Sequence, residues 1–265
     1  NAAFDARYYG KRHGRPDDQG LPLNAPRQPA LGVSWHDAMG FCQWLSQRTG
    51  RRFTLPTEAQ WEWACRAGSA APLAFGGVEA DFSPWANLAD ASFRAGLMQD
   101  GVRQQTGGLE HLMLDGADLS DGRCNDRAVV TAPVGSFQPN AWGLFDLHGN
   151  AAEWTLSEYR PYPYRDDDGR NAVNRGGRRV VRGGSFYDPT RRSRSAARLD
   201  YPAWQRVFNT GFRVVCEIAP PAGVRQAHLP TAGATVGGAS RPDAGDAPTR
   251  RGVKPLPQLA QQGSW

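Results

Sequence analysis

The stretch from Asn140 to Thr155, NAWGLFDLHGNAAEWT, constrains the fold of this chain more than any other. Its glycines, Gly143 and Gly149, permit tight turns or the close approach of neighbouring backbone. Five bulky side chains lie among them and supply apolar area: Trp142, Leu144, Phe145, Leu147 and Trp154. Burial of such side chains is a main source of folding free energy. The pattern predicts a loop that is pinned by its own hydrophobic core.

The same stretch carries two carboxylates, Asp146 and Glu153, with backbone carbonyl groups between them at Gly149 and Ala151. A segment that folds back in this way can wrap a hard cation, because Ca²⁺ takes its ligands from carboxylate and carbonyl oxygens. The stretch lacks the EF-hand pattern. From the spacing alone, carboxylates that cap turns or pair with arginine side chains are the favoured interpretation.

A first helix is predicted from Ser34 onward. Ser34 and Asp37 occupy capping-box positions, and Gly50 is a typical stop. Apolar residues follow at helical spacing: Ala38, Phe41, Cys42 and Leu45.

A second helix is predicted over residues 58–66. Thr57 and Gln60 form another capping-box pattern, and the inward stripe consists of Trp61, Ala64 and Cys65. A salt bridge to arginine is the favoured role for Glu62. The four cysteines form no C-x-x-C pair, so neither a zinc site nor a redox pair is indicated, and the helical Cys42 and Cys65 are expected to be buried thiols.

Residues outside these helices are mostly polar and rich in glycine and proline. Residues 1–31 are predicted to be extended coil, and residues 68–127 loops with at most a short strand or helix at 111–114. The acidic run at 166–168 is interpreted as a solvated turn. A strand is predicted before Gly183 and Gly184, and a closing strand from Gly211 to Val215.

The C-terminal segment, residues 219–265, is dominated by Ala, Gly, Pro, Gln and Thr. It is predicted to be a disordered linker or an arm that wraps a protein partner, because it holds too few aliphatic residues to offset ordering entropy. The chain has no initiating Met and no signal peptide, which favours a fragment or a processed product.

The formal net charge of +5 comes from basic residues that are interleaved with acidic ones. This distribution argues against a nucleic-acid-binding groove. No run of about 18 apolar residues occurs, so no membrane span is expected.

Four blocks occur in order: VSWHDAMGFCQWL, RFTLPTEAQWEWACRAG, NAWGLFDLHGNAAEWT, and RVVRGGSF with a closing GFRVV. Together they resemble the formylglycine-generating enzyme family, also called sulfatase-modifying factor domains, over about residues 30–216. The resemblance implies an α+β fold that is loop-rich, low in regular secondary structure and related to C-type lectin-like folds. The domain is assigned to residues 1–218, with the family's N-terminal strands missing or upstream.

The resemblance also implies two structural calcium sites, and it makes calcium the preferred interpretation. One ligand set falls on Asp146, Gly149, Ala151 and Glu153. The other falls on Asn87, Leu88, Asp126 and Ala128.

The resemblance does not extend to the catalytic copper ligands. The family's two copper-binding cysteines correspond here to Asp188 and Ser193. A soft Cu(I) site needs thiolates, so no copper and no formylglycine synthesis are expected. The surrounding candidates form a polar cleft of Ser185, Tyr187, Asp188, Arg192 and Ser193. Asp188 and Arg192 suit a zwitterionic or peptide ligand, and an internal salt bridge is an equal alternative.

Two functions remain open at this stage. The first is a non-catalytic binding, accessory or complex-subunit module in a bacterial periplasm or extracellular space, where calcium is abundant. The second is a non-heme iron oxidative enzyme of the sulfoxide-synthase or pigment-maturation type, in which His148 and Tyr187 would do acid–base work. The five histidines do not form the sulfoxide synthases' H-x-x-x-H-x-E iron motif, so iron would need ligands from elsewhere.

Overall fold

The computed structural model describes residues 8–9, 21–99, 122–174 and 176–217. Within them the chain has a mixed α+β fold with extensive loops, as predicted. The helices are α1 (Trp35–Thr49), α2 (Glu58–Arg66) and α3 (Ala91–Gln99). The strands are β1 (Tyr8–Tyr9), β2 (Leu21–Pro22), β3 (Arg52–Thr54), β4 (Ala152–Glu158), β5 (Arg178–Arg182), β6 (Leu199–Pro202), β7 (Thr210–Phe212) and β8 (Val215–Glu217). Short 3₁₀ turns lie at Asp166–Asp168 and Thr190–Arg192.

Helices α1 and α2 begin at the predicted capping boxes. The hydroxyl of Ser34 accepts the backbone N–H of Asp37, whose carboxylate accepts the Ser34 N–H in return. The same exchange occurs between Thr57 and Gln60 at the start of α2. Helix α1 ends at Gly50, which has a φ of 69°. Both helix predictions are confirmed, because local capping chemistry and the apolar stripe agree.

Strand β4 is central to the fold because it pairs on both edges. The sheet order is β6-β5-β4-β7, with β4 antiparallel to β5 and parallel to β7. A separate antiparallel pair joins β3 to β8. The predicted closing strand at 211–215 is therefore wrong in detail: it is two short strands in different sheets. The break falls at Arg213, whose side chain turns inward toward Glu153.

The core between α1 and the sheet contains Trp35, Cys42, Trp154 and Val181, all buried. The indole Nε1 of Trp35 donates to the backbone oxygen of Thr155 at 2.9 Å, which ties α1 to β4. The thiols of Cys42 and Cys65 are buried, as predicted.

The prediction that the central stretch is pinned by its own core is only partly correct. Leu147 and Trp154 are buried, but Trp142, Leu144 and Phe145 are 44%, 36% and 41% exposed. The loop is held instead by Asn140, whose side-chain oxygen accepts the N–H groups of Trp142 and Leu144. Its side-chain nitrogen donates to the backbone oxygen of Ala64 in α2.

Two further expectations differ from the structure. Phe41 was expected inward on α1 but is 42% exposed, and it packs against Trp44 and Phe212 at ring distances of 5.5 Å. Helix α3 lies where loops were predicted. The short element at 111–114 and the arm at 219–265 lie outside the described residues. None of the helices in the described ranges is both long and apolar enough to cross a membrane.

Candidate functional site

The first candidate calcium site is built on the turn before β4. Asp146 has a left-handed φ of 55°, which turns the chain. Its Oδ2 accepts the N–H of Gly135 at 2.7 Å. Its Oδ1 is buried and has no hydrogen-bond partner among the described residues. Burial raises the pKa of the Asp146 carboxyl, and the Gly135 hydrogen bond opposes that shift.

Glu153 lies on β4 and is almost fully buried. Its Oε2 accepts the indole Nε1 of Trp61 at 2.6 Å. The guanidinium of Arg213 donates to both carboxylate oxygens at 2.6 Å, and its Nη2 also reaches the backbone oxygen of Asp146 at 3.2 Å. Sequence reasoning missed Arg213 because the partners are 60 positions apart.

The backbone at Gly149 joins this site to the second one. The carbonyl of Asn87 accepts the N–H of Asn150 at 2.7 Å, and the N–H of Gly149 donates to Gly183. Gly149 has a φ of 77°, and a Cβ atom there would overlap the carbonyl oxygen of Asn87. The two predicted ligand sets are therefore neighbours through backbone contacts.

The second candidate site contains Asn87, which is fully buried. Its Nδ2 donates to the backbone oxygen of Val130 at 2.8 Å and to Oδ1 of Asn150 at 3.2 Å. Its own Oδ1 is buried and finds no partner in the described part of the chain.

Asp126 completes the side-chain part of this site. Its oxygens accept the N–H groups of Leu88 at 2.9 Å and Ala128 at 2.8 Å. Burial raises the pKa of the Asp126 carboxyl to about 7, opposed by those hydrogen bonds and reinforced by the negative charge of Asp90. Asp90 is fully buried and was not predicted as a site residue. The sequence signal that could have drawn attention to it is its position as the N-terminal cap of α3.

The candidate cleft is a closed polar cluster around Ser185. The Ser185 hydroxyl donates to Oδ2 of Asp188 at 2.7 Å and accepts from Nδ2 of Asn209 at 2.8 Å. The N–H of Tyr187 also donates to this hydroxyl, at 3.2 Å. Ser185 is fully buried and Asp188 is 4% exposed. Burial raises the pKa of the Asp188 carboxyl, against the effect of the Ser185 hydrogen bond.

The other two cleft candidates lie apart from this cluster. Arg192 is at the rim, with Nη1 at 3.9 Å from Oδ1 of Asp188 and a side chain that is 54% exposed. The hydroxyl of Ser193 is buried against Gly184 and donates to the backbone oxygen of Pro189 at 3.3 Å. The structure thus brings Ser185, Tyr187 and Asp188 together and leaves Ser193 in separate contacts.

The sequence profile of the sulfatase-modifying factor enzyme 1-like domain matches residues 11–218. The chain belongs to this family. The formylglycine-generating enzyme of Bos taurus is 30% identical over 220 residues, which cover 80% of this chain and 47% of that protein. The inactive C-alpha-formylglycine-generating enzyme 2 of Bos taurus is 30% identical over 201 residues, or 74% of this chain and 52% of that protein. The chain spans about half the length of the curated relatives it matches.

Two solved structures share the fold of this sulfatase-modifying factor domain. The structure of PvdO from Pseudomonas aeruginosa has a TM-score of 0.56 and 31% identity, covering 78% of this chain and 70% of that one. Treponema denticola variable protein 1 has a TM-score of 0.52 and 21% identity, covering 73% and 75%. The second likeness concerns the fold alone.

At each predicted position of this sulfatase-modifying factor domain a buried side-chain oxygen lacks a partner among the described residues, which suits a hard cation, although Arg213 occupies both carboxylate oxygens of Glu153. Within the described ranges no group of three or more His, Cys, Asp or Glu side chains is placed so that it could hold a metal ion, so carbonyl oxygens would have to contribute. Oδ1 of Asn87 and Oδ1 of Asp146 are both buried, and no described residue donates to either. Leaving a buried oxygen unpaired is destabilising. Amide, carboxylate and carbonyl oxygens are the ligands that Ca²⁺ prefers.

His148 lies beneath the cleft in a fixed neutral state. Its Nδ1 donates to the backbone oxygen of Ser193 at 2.7 Å, and its Nε2 accepts the N–H of Ala74 at 2.9 Å. Burial lowers the pKa of His148 to about 4. The thiol of Cys65 is 3.4 Å from Nε2, but burial raises its pKa to about 12. This pair is therefore not an activated nucleophile at neutral pH.

Helix α2 and the central stretch together form an aromatic surface. The rings of Trp63 and Trp142 lie 4.3 Å apart, and the two side chains are 69% and 44% exposed. Next to them is a pocket of about 290 Å³ whose wall includes Phe75, Trp85 and Leu144. Exposed apolar area of this kind is typical of binding surfaces.

Proposed function

We propose that this chain is a calcium-stabilised sulfatase-modifying factor domain that acts as a non-catalytic binding or accessory module and does not make formylglycine. The observation that carries the proposal is the replacement of both expected copper cysteines by Asp188 and Ser193. The carboxylate of Asp188 hydrogen bonds to Ser185 and is buried. A carboxylate and a hydroxyl cannot replace the thiolates that hold Cu(I).

The state of the remaining thiols supports the same conclusion. Cys42, Cys65 and Cys124 are buried, and Cys65 would have to lose its proton against a pKa of about 12. The similarity to an inactive formylglycine-generating enzyme 2 fits a member of the family without catalysis.

Calcium is proposed as a structural ion because each ligand set contains a buried oxygen, on Asn87 or on Asp146, to which no described residue donates. Ca²⁺ at these positions would bind oxygens that lack another partner in the described part of the chain. A periplasmic or extracellular location is proposed with it, since weak calcium sites fill where the ion is abundant.

The binding role is assigned to the surface around Trp63 and Trp142. A zwitterionic ligand between Asp188 and Arg192 is less favoured, since Asp188 is almost fully buried and its Oδ2 is used internally. Exposed aromatic residues next to a pocket suit a protein or peptide partner better.

The state of His148 argues against the iron-dependent alternative. Both of its ring nitrogens are hydrogen bonded, and its lowered pKa keeps it neutral at physiological pH. An oxidative enzyme of this type would need iron ligands from another part of the protein or from another chain.

The test is an aldehyde assay on a C-x-P-x-R peptide with Cu(I) and oxygen, read by mass spectrometry. We expect no aldehyde from the purified chain, and none from a peptide with serine in place of cysteine. The double variant Asp188→Cys, Ser193→Cys is the matched comparison, because it restores both thiols. Aldehyde formed by the unmodified chain would contradict the proposal. Elemental analysis of the purified chain before copper is added separates calcium from iron or copper.

A further inference from the structure

The carboxylate of Asp90 lies against Asp126, the second acidic residue of this site. Asp90 is fully buried at the start of α3, where its Oδ1 accepts the N–H of Phe93 at 3.0 Å. Its Oδ2 accepts the backbone N–H of Asp126 at 2.5 Å. The oxygens of Asp126 are fixed by two backbone donors, Leu88 and Ala128. Both carboxylates are thus held in place by backbone hydrogen bonds.

The negative charge of this pair is not offset by a basic side chain within the described ranges. Neither Asp90 nor Asp126 forms an ion pair there with lysine or arginine, although basic residues outnumber acidic ones in the chain, 31 to 26. By contrast, Glu153 at the other site is neutralised by Arg213. A fully buried carboxylate beside a half-buried one loses hydration and is repelled by it, so a cation that binds both is favoured.

A separate observation points to a cation rather than to a structural acid pair. Asn87 is fully buried, and its Nδ2 faces Val130 and Asn150. Its Oδ1, on the other side of the amide, has no partner among the described residues. The next backbone N–H along the chain, that of Leu88, donates to Asp126, so the peptide unit that follows Asn87 contacts the acid pair.

We propose that Asp90 is an additional carboxylate ligand of the cation held by Asn87, Leu88, Asp126 and Ala128. This site then carries two negative charges, whereas the Asp146 and Glu153 site carries a net charge of about minus one because Arg213 offsets one carboxylate. Affinity for calcium rises with the charge of the ligand set. The inference rests on the proposed calcium binding, and it makes the Asp90 site the tighter of the two.

The site also connects two segments that are distant in sequence. Asp90 caps α3, and Asp126 lies 36 positions further along the chain. A cation held by both carboxylates clamps the start of α3 to the loop at 126–128. Loss of the ion is expected to loosen the contact between the start of α3 and the loop at 126–128 before other parts of the fold.

The decisive experiment is calorimetric titration of calcium into the chain after EGTA treatment. The Asp90→Asn variant can still accept the N–H of Phe93 and so keeps the helix cap. We expect one binding step to weaken by about 10–100-fold, by analogy with the loss of outer groups at metal sites, and the other step to stay unchanged. The matched control is Asp81→Asn, since the exposed Asp81 carboxylate accepts the Ser83 N–H in a similar turn. It should leave both steps as they are.

Two outcomes of this titration overturn the inference, and they are distinguishable. If the unmodified chain binds no calcium, the proposed calcium role fails together with the Asp90 assignment. If the unmodified chain binds two ions and Asp90→Asn binds both with unchanged affinity, only the Asp90 assignment fails.

A second measurement does not depend on the variant folding. La³⁺ has a higher charge than Ca²⁺ and should bind the doubly charged site preferentially. It should displace calcium from that site at a concentration at least about tenfold lower than from the Asp146 and Glu153 site. Displacement of both calcium ions from the unmodified chain at the same La³⁺ concentration would also contradict the inference.

Discussion

At the scale of single residues, Gly149 is the position where side-chain volume matters most. It has a φ of 77°, and an added Cβ would overlap the carbonyl oxygen of Asn87 and lie 2.7 Å from Leu88. Because the Asn87 oxygen belongs to the backbone, it cannot shift without a large cost in free energy. We expect Gly149→Ala to lower the free energy of unfolding by more than about 4 kcal/mol. Urea denaturation measures this.

Gly143 provides the matched control for that substitution. It has the same φ of 77°, but nothing among the described residues lies within 4 Å of the place a Cβ atom would take. Gly143→Ala should therefore show only the backbone strain of a left-handed alanine, about 1 kcal/mol. If the two variants lost the same free energy of unfolding, the overlap between the added Cβ atom and the Asn87 carbonyl oxygen would not be the cause of the destabilisation.

His148 is expected to make the stability of the fold depend on pH. Burial lowers its pKa from 6.5 to about 4, so the folded state favours the neutral ring. The stabilisation is fully present above about pH 6.5 and is lost as the pH falls toward 4, with a total of about 3 kcal/mol. In His148→Asn, the fall in unfolding free energy over this interval should shrink by that amount. If the pH dependence of the unfolding free energy were the same in His148→Asn as in the unmodified chain, His148 would not be its source.

At the scale of elements, a buried ionic cluster joins α2 to β5 and to the segment before β6. Glu58, at the start of α2, is 1% exposed and accepts from Nη2 of Arg198 at 2.8 Å. The Cζ atom of the Arg198 guanidinium lies 4.4 Å from the ring centre of Tyr159 and 4.6 Å from that of Tyr162. Nε of Arg182, which is fully buried, is 3.8 Å from the same carboxylate.

Removal of the Glu58 charge should destabilise the whole domain. Glu58→Gln removes the counter-charge of the largely buried Arg198 guanidinium and leaves Arg182 paired with Glu62 alone. Loss of one partner of a buried ion pair costs about 3–5 kcal/mol in comparable cases. The control is Asp167→Asn, because the Asp167 pair with Arg165 is exposed and should contribute nothing measurable. Thermal and urea unfolding of both variants test this. Similar stability of the two variants would show that the cluster is not held by charge.

The elements that could be predicted from the sequence are those with local signals. Helices α1 and α2 have capping boxes and apolar stripes within a few residues, and both begin where these signals place them. Helix α3 was missed because its cap, Asp90, also interacts with Asp126, far along the chain. The closing strand was predicted as continuous because the break depends on Arg213, whose partner lies on β4.

At the scale of the whole molecule, the candidate site could be predicted only through the resemblance. Half of the proposed calcium ligands are backbone carbonyls, which leave no trace in side-chain chemistry. Asn87 and Asp126 are too far apart in sequence for any spacing rule to join them. The exposure of Trp142 and Phe145 could not be predicted from composition either, since it depends on how Asn140 folds the loop.

The proposed calcium ions should set the melting temperature of the entire domain. A ligand that binds only the folded state at about a hundred times its Kd adds about 2.7 kcal/mol per site. A domain of this size changes its Tm by about 2–4 °C per kcal/mol, so each filled site should raise Tm by roughly 5–10 °C. Scanning calorimetry with calcium and with EGTA measures the shift. Asp146→Ala should lose about half of it while still binding one ion, whereas Asp167→Asn should lose none. Identical melting curves in calcium and EGTA would show that the fold does not depend on the ion.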